Sequence, residues 1–365
     1  MTPRIPWIRS EFVSASPYLA ADAPRGAVIH FDLNTLPANP SCWQPIAEEI
    51  ARGSVSSYPD AAYQPLKEAI AGYLSVGADQ IVPTAGGDEA ILLTSFLSLT
   101  QRERAVVARP TYPMHAMSIR MTGAELDVVE PLPGPNFRLD LERVIERAAG
   151  ARLVWLCSPN NPTGEDIPAD VIRAVCERCP GLVCVDQAYL EFSGEDHLPL
   201  LADYQNLLII RTFSKGWGLG ALRTGYAVAN PLVAGALDAL RPPGSLSTGS
   251  ALGAERACGF VDEMKLDVER HRKERQRLTA GLRDIGFPIT GEAANFALVE
   301  TPWHGDELAR HLNARGMAVR TYGHDPLLQR HFRACIGLPD ENDLLIAALR
   351  ELQATVPPTA GGDVA

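Results

Sequence analysis

Between Ala105 and Ala229, six short apolar runs recur, with stretches of helical spacing between most of them. They are Ala105–Ala108, Glu125–Val129, Leu153–Cys157, Leu182–Val185, Leu207–Arg211 and Tyr226–Ala229. Runs this short and this rich in Val, Ile and Leu read as strands buried on both faces. Strand–helix alternation sustained over such a stretch argues for a parallel sheet covered by helices on both sides. Sheets of that kind gather their sites at the carboxyl ends of the strands. The loops that follow the runs are therefore where chemistry is expected.

Those loops carry reactive groups. After Leu207–Arg211 comes Thr-Phe-Ser214-Lys215-Gly-Trp-Gly-Leu-Gly-Ala-Leu-Arg223, a glycine-rich turn with an amine, a hydroxyl and a guanidinium. An amine at the end of a buried strand loses solvent, its pKa falls, and it forms Schiff bases with carbonyl compounds. Ser214 and Arg223 suit a phosphate. Amine and phosphate site together suggest a phosphorylated aldehyde, of which pyridoxal 5'-phosphate is the commonest in proteins. Val183-Cys-Val-Asp186 places a carboxylate at another strand end, where burial is costly unless a cation or donors meet it. Thr84-Ala-Gly-Gly87-Asp88-Glu opens a helix, so the N–H groups of Gly87 and Asp88 can face an anion.

Ser-Lys-x-x-Gly-Leu-x-x-Leu-Arg-x-Gly-Tyr resembles the Schiff-base segment of the class I/II, fold-type I aminotransferases, in particular the histidinol-phosphate aminotransferase branch. Asn-Pro-Thr-Gly at Asn161–Gly164, Asp186-Gln-Ala-Tyr189, Ser57-Tyr-Pro-Asp60 and Phe332-Arg-Ala-Cys-Ile-Gly337 match further segments, and the likeness runs from Ser16 to Leu352. It implies an α/β fold of type I, with a large domain built on a mostly parallel sheet and a smaller α+β domain. In that reading Lys215 is the Schiff-base lysine and the base at the substrate's Cα, in a ping-pong exchange between an amino donor and an oxo acid. Asp186 pairs with the protonated ring nitrogen, which keeps the ring an electron sink. Tyr189 and Asn161 hold the phenolic oxygen from opposite sides, and Tyr112 stacks on the ring. Gly87, Asp88, Ser214 and Arg223 hold the phosphate. Tyr58 reaches the phosphate of a neighbouring subunit, which implies a homodimer with shared sites. Arg333 grips the substrate's anionic group with Arg320 as a second contact, and Tyr18 and Asn34 lie on the substrate side.

Two positions depart from the branch. Gln187 stands where Asp-Glu-Ala-Tyr is usual, and Thr35 follows Asn34 where the branch has a glutamate that faces the substrate. The implied substrate is therefore an amino acid or amino-alcohol phosphate of the histidinol-phosphate or aromatic kind. The alternative on the same fold is decarboxylation, β-elimination or oxidative deamination, because substrate contacts decide which Cα bond breaks.

Composition bounds the rest. The 365 residues can bury a large core, and 46% hydrophobic with 21% charged residues is a globular balance. A net charge of −11 argues against a nucleic-acid partner. A non-catalytic, cofactor-binding regulator of this fold would be fused to a DNA-binding helix-turn-helix, for which the segment before the fold is expected to be too short; with Lys215 present, an enzyme is the expected reading. The chain start lacks an apolar leader, no run of about 18 apolar residues occurs, and the seven cysteines are scattered. Together these predict a cytoplasmic protein with reduced thiols and no membrane contact. Cys176 and Cys179 have no companion pair with zinc spacing, so no metal is expected. The expected division is an N-terminal segment 1–40 joining the small domain, a large domain 41–240, a small domain 241–353 and a disordered tail 354–365. The run Glu269–Arg277 reads as a solvated helix face.

Overall fold

The computed structural model describes residues 29–54, 56–134 and 137–358, so Tyr18 and the end of the tail lie outside the described residues. Among the described residues, thirteen strands follow in chain order: β1 Ile29–His30, β2 Ile81–Thr84, β3 Arg104–Ala108, β4 Glu125–Val129, β5 Leu153–Cys157, β6 Leu182–Asp186, β7 Leu207–Thr212, β8 Gly225–Ala229, β9 Ile289–Thr290, β10 Phe296–Glu300, β11 Met317–Ala318, β12 Arg320–Thr321 and β13 His331–Cys335. Seven of them form one sheet in the order β2-β8-β7-β6-β5-β3-β4.

The strands from β7 outward to β4 are parallel, whereas β8 runs antiparallel to both of its neighbours. Phe213–Thr224, between β7 and β8, contains the lysine turn and no crossover helix. Without a crossover the chain returns antiparallel. Successive side chains alternate between two apolar clusters, one on each face. Val106, Val154, Val183 and Ile209 enter one cluster, and Val107, Trp155, Cys184 and Leu208 the other. This period of two, with both faces covered, explains why the runs are apolar throughout.

A second, antiparallel sheet has the order β12-β13-β10-β9. The N-terminal strand β1 pairs with β11, and Cys335 N donates to Phe31 O at 2.8 Å, so residues 29–31 are tied to this smaller sheet. The run Glu269–Arg277 lies in the longer of two successive helices, Thr248–Ala257 and Val261–Asp284. The longer helix buries Met264, Val268, His271, Arg275, Leu278 and Leu282, one stripe at helical spacing. His271 and Arg275 thus turn inward, and the expectation that the whole run Glu269–Arg277 is solvated is corrected. Among the described residues, no helix is long and apolar enough to cross a membrane.

Candidate active site

The carboxyl ends of β5, β6 and β7, the start of the helix Gly86–Ser98 and the smaller sheet enclose a cavity of about 230 Å³. Its lining carries four cationic side chains, Lys215, Arg223, Arg320 and Arg333, against three carboxylates, Asp32, Asp88 and Asp186. A chain with a surplus of acidic residues therefore keeps a locally basic pocket.

Lys215 follows β7 and projects toward residue 34, where its Nζ donates to Asn34 O at 3.0 Å. Burial, followed by the Arg333 guanidinium, pushes its amine down to about 8. The amine is correspondingly easier to deprotonate, as a nucleophile or base must be. Asn34 has a left-handed backbone (φ 51°) and a buried Oδ1 without a hydrogen-bond partner.

Asp186 ends β6 and is 4% exposed. One carboxylate oxygen accepts from Ala188 N at 3.0 Å, and the other lies 3.1 Å from His115 Nε2. An ionised carboxylate can only accept, so Nε2 carries the hydrogen. The imidazole is stacked on Trp155 at 4.9 Å and 12°, which fixes its ring plane. His115 was not foreseen. It sits on the helix Pro113–Thr122, 71 residues from its partner, with no local pattern to mark it.

A chain of hydrogen bonds joins the two sheets. Asn34 Nδ2 and Asn161 Nδ2 donate to Tyr189 Oη at 3.1 and 3.3 Å, and Arg333 donates to Asn161 Oδ1 at 2.9 Å. Arg333 also donates to Asp32 O at 2.8 Å and lies over the Phe296 ring. Its fork is thus held at two points before any substrate arrives. Burial raises the Tyr189 phenol, so it stays protonated.

At the other end, Gly86 (φ 78°) starts the helix, and a side chain there would meet the Arg223 guanidinium at 2.9 Å. Arg223 reaches Asp88 Oδ2 at 3.4 Å, and Tyr112 Oη donates to Asp88 Oδ1 at 2.9 Å. Ser214 is fixed from below, its N and Oγ both bonded to Thr212 Oγ1 at 3.1 and 2.9 Å. The Thr-x-Ser spacing is a signal that could have indicated Thr212.

Gly87, Asp88, Tyr112, Asn161, Asp186, Tyr189, Ser214, Lys215, Arg223, Arg320, Arg333 and Asn34 all border the one cavity. Tyr58 does not: it is 97% exposed and stands away from it. Thr35 is exposed and outside the lining. Gln187, expected to change the charge near the site, points beneath it. Its Oε1 accepts from Arg211 at 3.1 Å and its Nε2 donates to Glu195 O at 3.0 Å. The carboxylate lost there belongs to the floor below the cavity.

The profile of the family described as aminotransferase class I and II matches residues 28–349. The chain belongs to that family. It is 35% identical over 339 residues to a histidinol-phosphate aminotransferase of Methanothermobacter thermautotrophicus, covering 89% of each chain. It is 31% identical over 349 residues to one from Ruminiclostridium cellulolyticum, covering 94% of this chain and 97% of the other. Among solved structures, the histidinol-phosphate aminotransferase of Sinorhizobium meliloti in complex with pyridoxal 5'-phosphate superposes with a TM-score of 0.81 at 28% identity, over 91% of this chain and 93% of that one. This aminotransferase is pyridoxal-phosphate dependent, like its family, and has the type I fold.

The residues present fit that cofactor. A desolvated amine suits an aldehyde carbon, and a buried strand-end carboxylate suits a protonated ring nitrogen. The helix start at Gly86 with Arg223 and Ser214 suits a dianionic phosphate.

Proposed function

We propose that this aminotransferase acts on an amino compound that carries an anionic group, of the histidinol-phosphate or aromatic amino-acid kind. An oxo acid takes up the amino group in the second half of the exchange. The observation that carries this reading is the hydrogen-bonded run from Arg333 through Asn161 to Tyr189 beside the Lys215 amine. It couples an anion grip to the reacting centre in one cavity.

The cofactor, when bound, supplies an electron sink for charge developing at the substrate's Cα. The chain's own groups do the rest. Lys215 would be the residue that holds the cofactor's aldehyde carbon, and its amine, tethered within reach, would take and return the proton at the substrate's Cα. Asp186, oriented by His115, would keep a proton on the ring nitrogen; Tyr189 and Asn161 would donate to the phenolic oxygen, and Tyr112 would pack on the ring. Gly87, Asp88, Ser214 and Arg223 hold the phosphate. Arg333 and Arg320 hold the substrate's anionic group, with Asn34 beside them. We read the protein as a cytoplasmic homodimer in which Tyr58 completes the partner's phosphate site. The nearly full exposure of Tyr58 and the unpaired state of all seven cysteines support this.

The test is the absorbance spectrum of the purified protein with each of a panel of amino donors, including histidinol phosphate and aromatic amino acids. Conversion from the pyridoxal to the pyridoxamine form by one donor, reversed by an oxo acid, is the expected result. Oxo product or carbon dioxide without the pyridoxamine form overturns it, as does turnover that survives Lys215→Ala.

A further inference from the structure

We infer that Asn295 is a positioning residue for the reaction: through the backbone carbonyl of Asn34 it fixes the point on which both the Lys215 amine and the Tyr189 phenol are held. The inference rests on the roles just given to those two residues. Asn295 lies between β9 and β10, 261 positions from Asn34, and is fully buried. Its Nδ2 donates to Asn34 O at 3.0 Å, and Lys215 Nζ donates to the same oxygen at 3.0 Å. A peptide carbonyl only accepts, so the NH2 end of the amide has to face it. The two donors occupy both lone pairs of that oxygen. With its side chain, Asn34 donates to Tyr189 Oη, as does Asn161. These two amides fill the acceptor side of the hydroxyl, which leaves its hydrogen to point into the cavity that Tyr189 borders.

The geometry of Asn34 needs support. Its backbone is left-handed, a conformation that a residue with a side chain keeps only where its surroundings impose it. The segment that carries Asn295, by contrast, is pinned at three successive residues. Ala293 N donates to Gly164 O at 2.8 Å, Arg275 donates to Ala294 O at 2.6 Å, and Ile336 N donates to Asn295 O at 3.2 Å. Phe296, the next residue, packs edge-on against the Tyr189 ring at 5.2 Å. An apolar side chain would fill the place of the amide at less cost. Asn295 Oδ1 is buried without a hydrogen-bond partner among the described residues, and a polar atom left so costs stability. What the amide adds is its bond to Asn34 O.

The experiment titrates the absorbance of the pyridoxal-phosphate-loaded protein with pH and needs no turnover. A hydrogen bond to a charged oxygen favours its charged form, so a poorly aimed Tyr189 raises the pH at which the bound cofactor loses its proton. Asn295→Ala should raise that midpoint by at least about half a pH unit. Asn295→Asp keeps the size but turns an acceptor toward Asn34 O, and should raise it at least as far. With a donor that is converted, both should lower kcat at least about 10-fold. KM should stay within about threefold, because Arg333 keeps its bonds to Asn161 and Asp32 O. Asn342→Ala is the control for a purely structural role. Asn342 is as deeply buried and bonds Gly337 and Glu274, away from the cavity, so its loss should lower Tm without moving the midpoint. A midpoint within about 0.2 unit of the parent in both Asn295 variants, or one that Asn342→Ala moves as far, overturns the inference. Tyr189→Phe separates it from the reading beneath it. If that variant raises the midpoint and the Asn295 variants do not, the inference fails alone; if it leaves the midpoint in place, the role of Tyr189 in the proposed function fails and the inference with it.

Discussion

Gly225 is the position where one added methyl group should do most harm. It opens β8 opposite Thr84 of β2 on one side and Thr212 of β7 on the other. A Cβ there would lie 2.6 Å from Gly86 C, 2.8 Å from Gly87 N and 3.0 Å from Arg211 O. All three atoms are backbone, so no side chain can swing aside. Ordinary contact begins at 3.4 Å, which leaves the first of these about 0.8 Å short. The glycine turn at Gly86–Gly87 must move outward by that order. A hydrogen bond of about 2.9 Å stretched by so much is no longer one. Losing one bond to a phosphate costs about 1.5–3 kcal/mol, or about 10- to 100-fold in cofactor affinity. Overpacking adds about 1–3 kcal/mol of destabilisation, a fall of about 1–4 °C in Tm for a chain of this size. Gly87→Ala is the control. Its Cβ would meet only Ile210 Cγ2, at 3.6 Å, and its N–H remains. Cofactor titration of the apoprotein, followed by absorbance, should show Gly225→Ala much weakened and Gly87→Ala close to the parent. A Gly225→Ala protein within about twofold of the parent, or a Gly87→Ala protein equally weakened, refutes this packing account of the phosphate turn.

Three further outcomes follow from the geometry. His115→Phe keeps the stack on Trp155 but leaves Asp186 with only Ala188 N; kcat should fall about 10-fold or more with the fold intact, and an unchanged kcat contradicts the positioning role. Because burial first and Arg333 second hold the Lys215 amine near 8, capture of the cofactor by apoprotein should rise as pH climbs through about 8, where the free amine forms, well below the ordinary lysine range. Arg333→Met removes one depressing charge, so that midpoint should move upward; a midpoint that stays or falls contradicts it. For the shared site, Lys215→Ala and Tyr58→Ala chains purified as mixed dimers should regain activity that neither has alone, since one of the two sites then holds both groups. An isolated mixed dimer without activity refutes the contribution of Tyr58.

Much of this was legible because it is local. The apolar runs from Leu153 to Ala229 became strands to within a residue at most ends, since burial on both faces leaves a continuous signal. Each strand-end group, from Asp186 to Lys215, then followed from where the runs stop. Antiparallel β8 was not legible, because a strand's direction depends on whether the intervening segment crosses over and not on its own residues. Two-residue strands such as β11 and β12 were not legible either, because two residues carry no period. Contacts across the chain were invisible for a related reason. His115 with Asp186, and Arg333 with Asn161, are pairs separated by 71 and 172 positions. Inward-facing Arg275 defeated the expectation of a solvated face because its guanidinium donates to Ala294 O, a partner that no helix pattern reveals.

Gln187 shows how a departure in sequence can be real and still lie in a different layer from the one it suggests. Arg211, near the end of β7, is 2% exposed and directly precedes the lysine turn. A buried guanidinium needs acceptors. Gln187 Oε1 is one and the Asp196 carboxylate another, while Glu191 lies close enough for Arg211 to lower its carboxyl. Burial outweighs that attraction and pushes Glu191 up to about 7. The Glu191 side chain in turn lies under Gly216, where a Cβ would meet its Cβ and Cγ at 2.6 Å. The lysine turn therefore rests on a layer with one strong cation, one exposed carboxylate, one carboxyl poised near neutrality and one amide. A glutamate at position 187 would put a further negative charge against Glu191 and disfavour its ionised form. The neutral glutamine accepts from Arg211 with no such repulsion, so this substitution bears on how the turn under Lys215 is supported and leaves the choice of substrate to the residues that line the cavity.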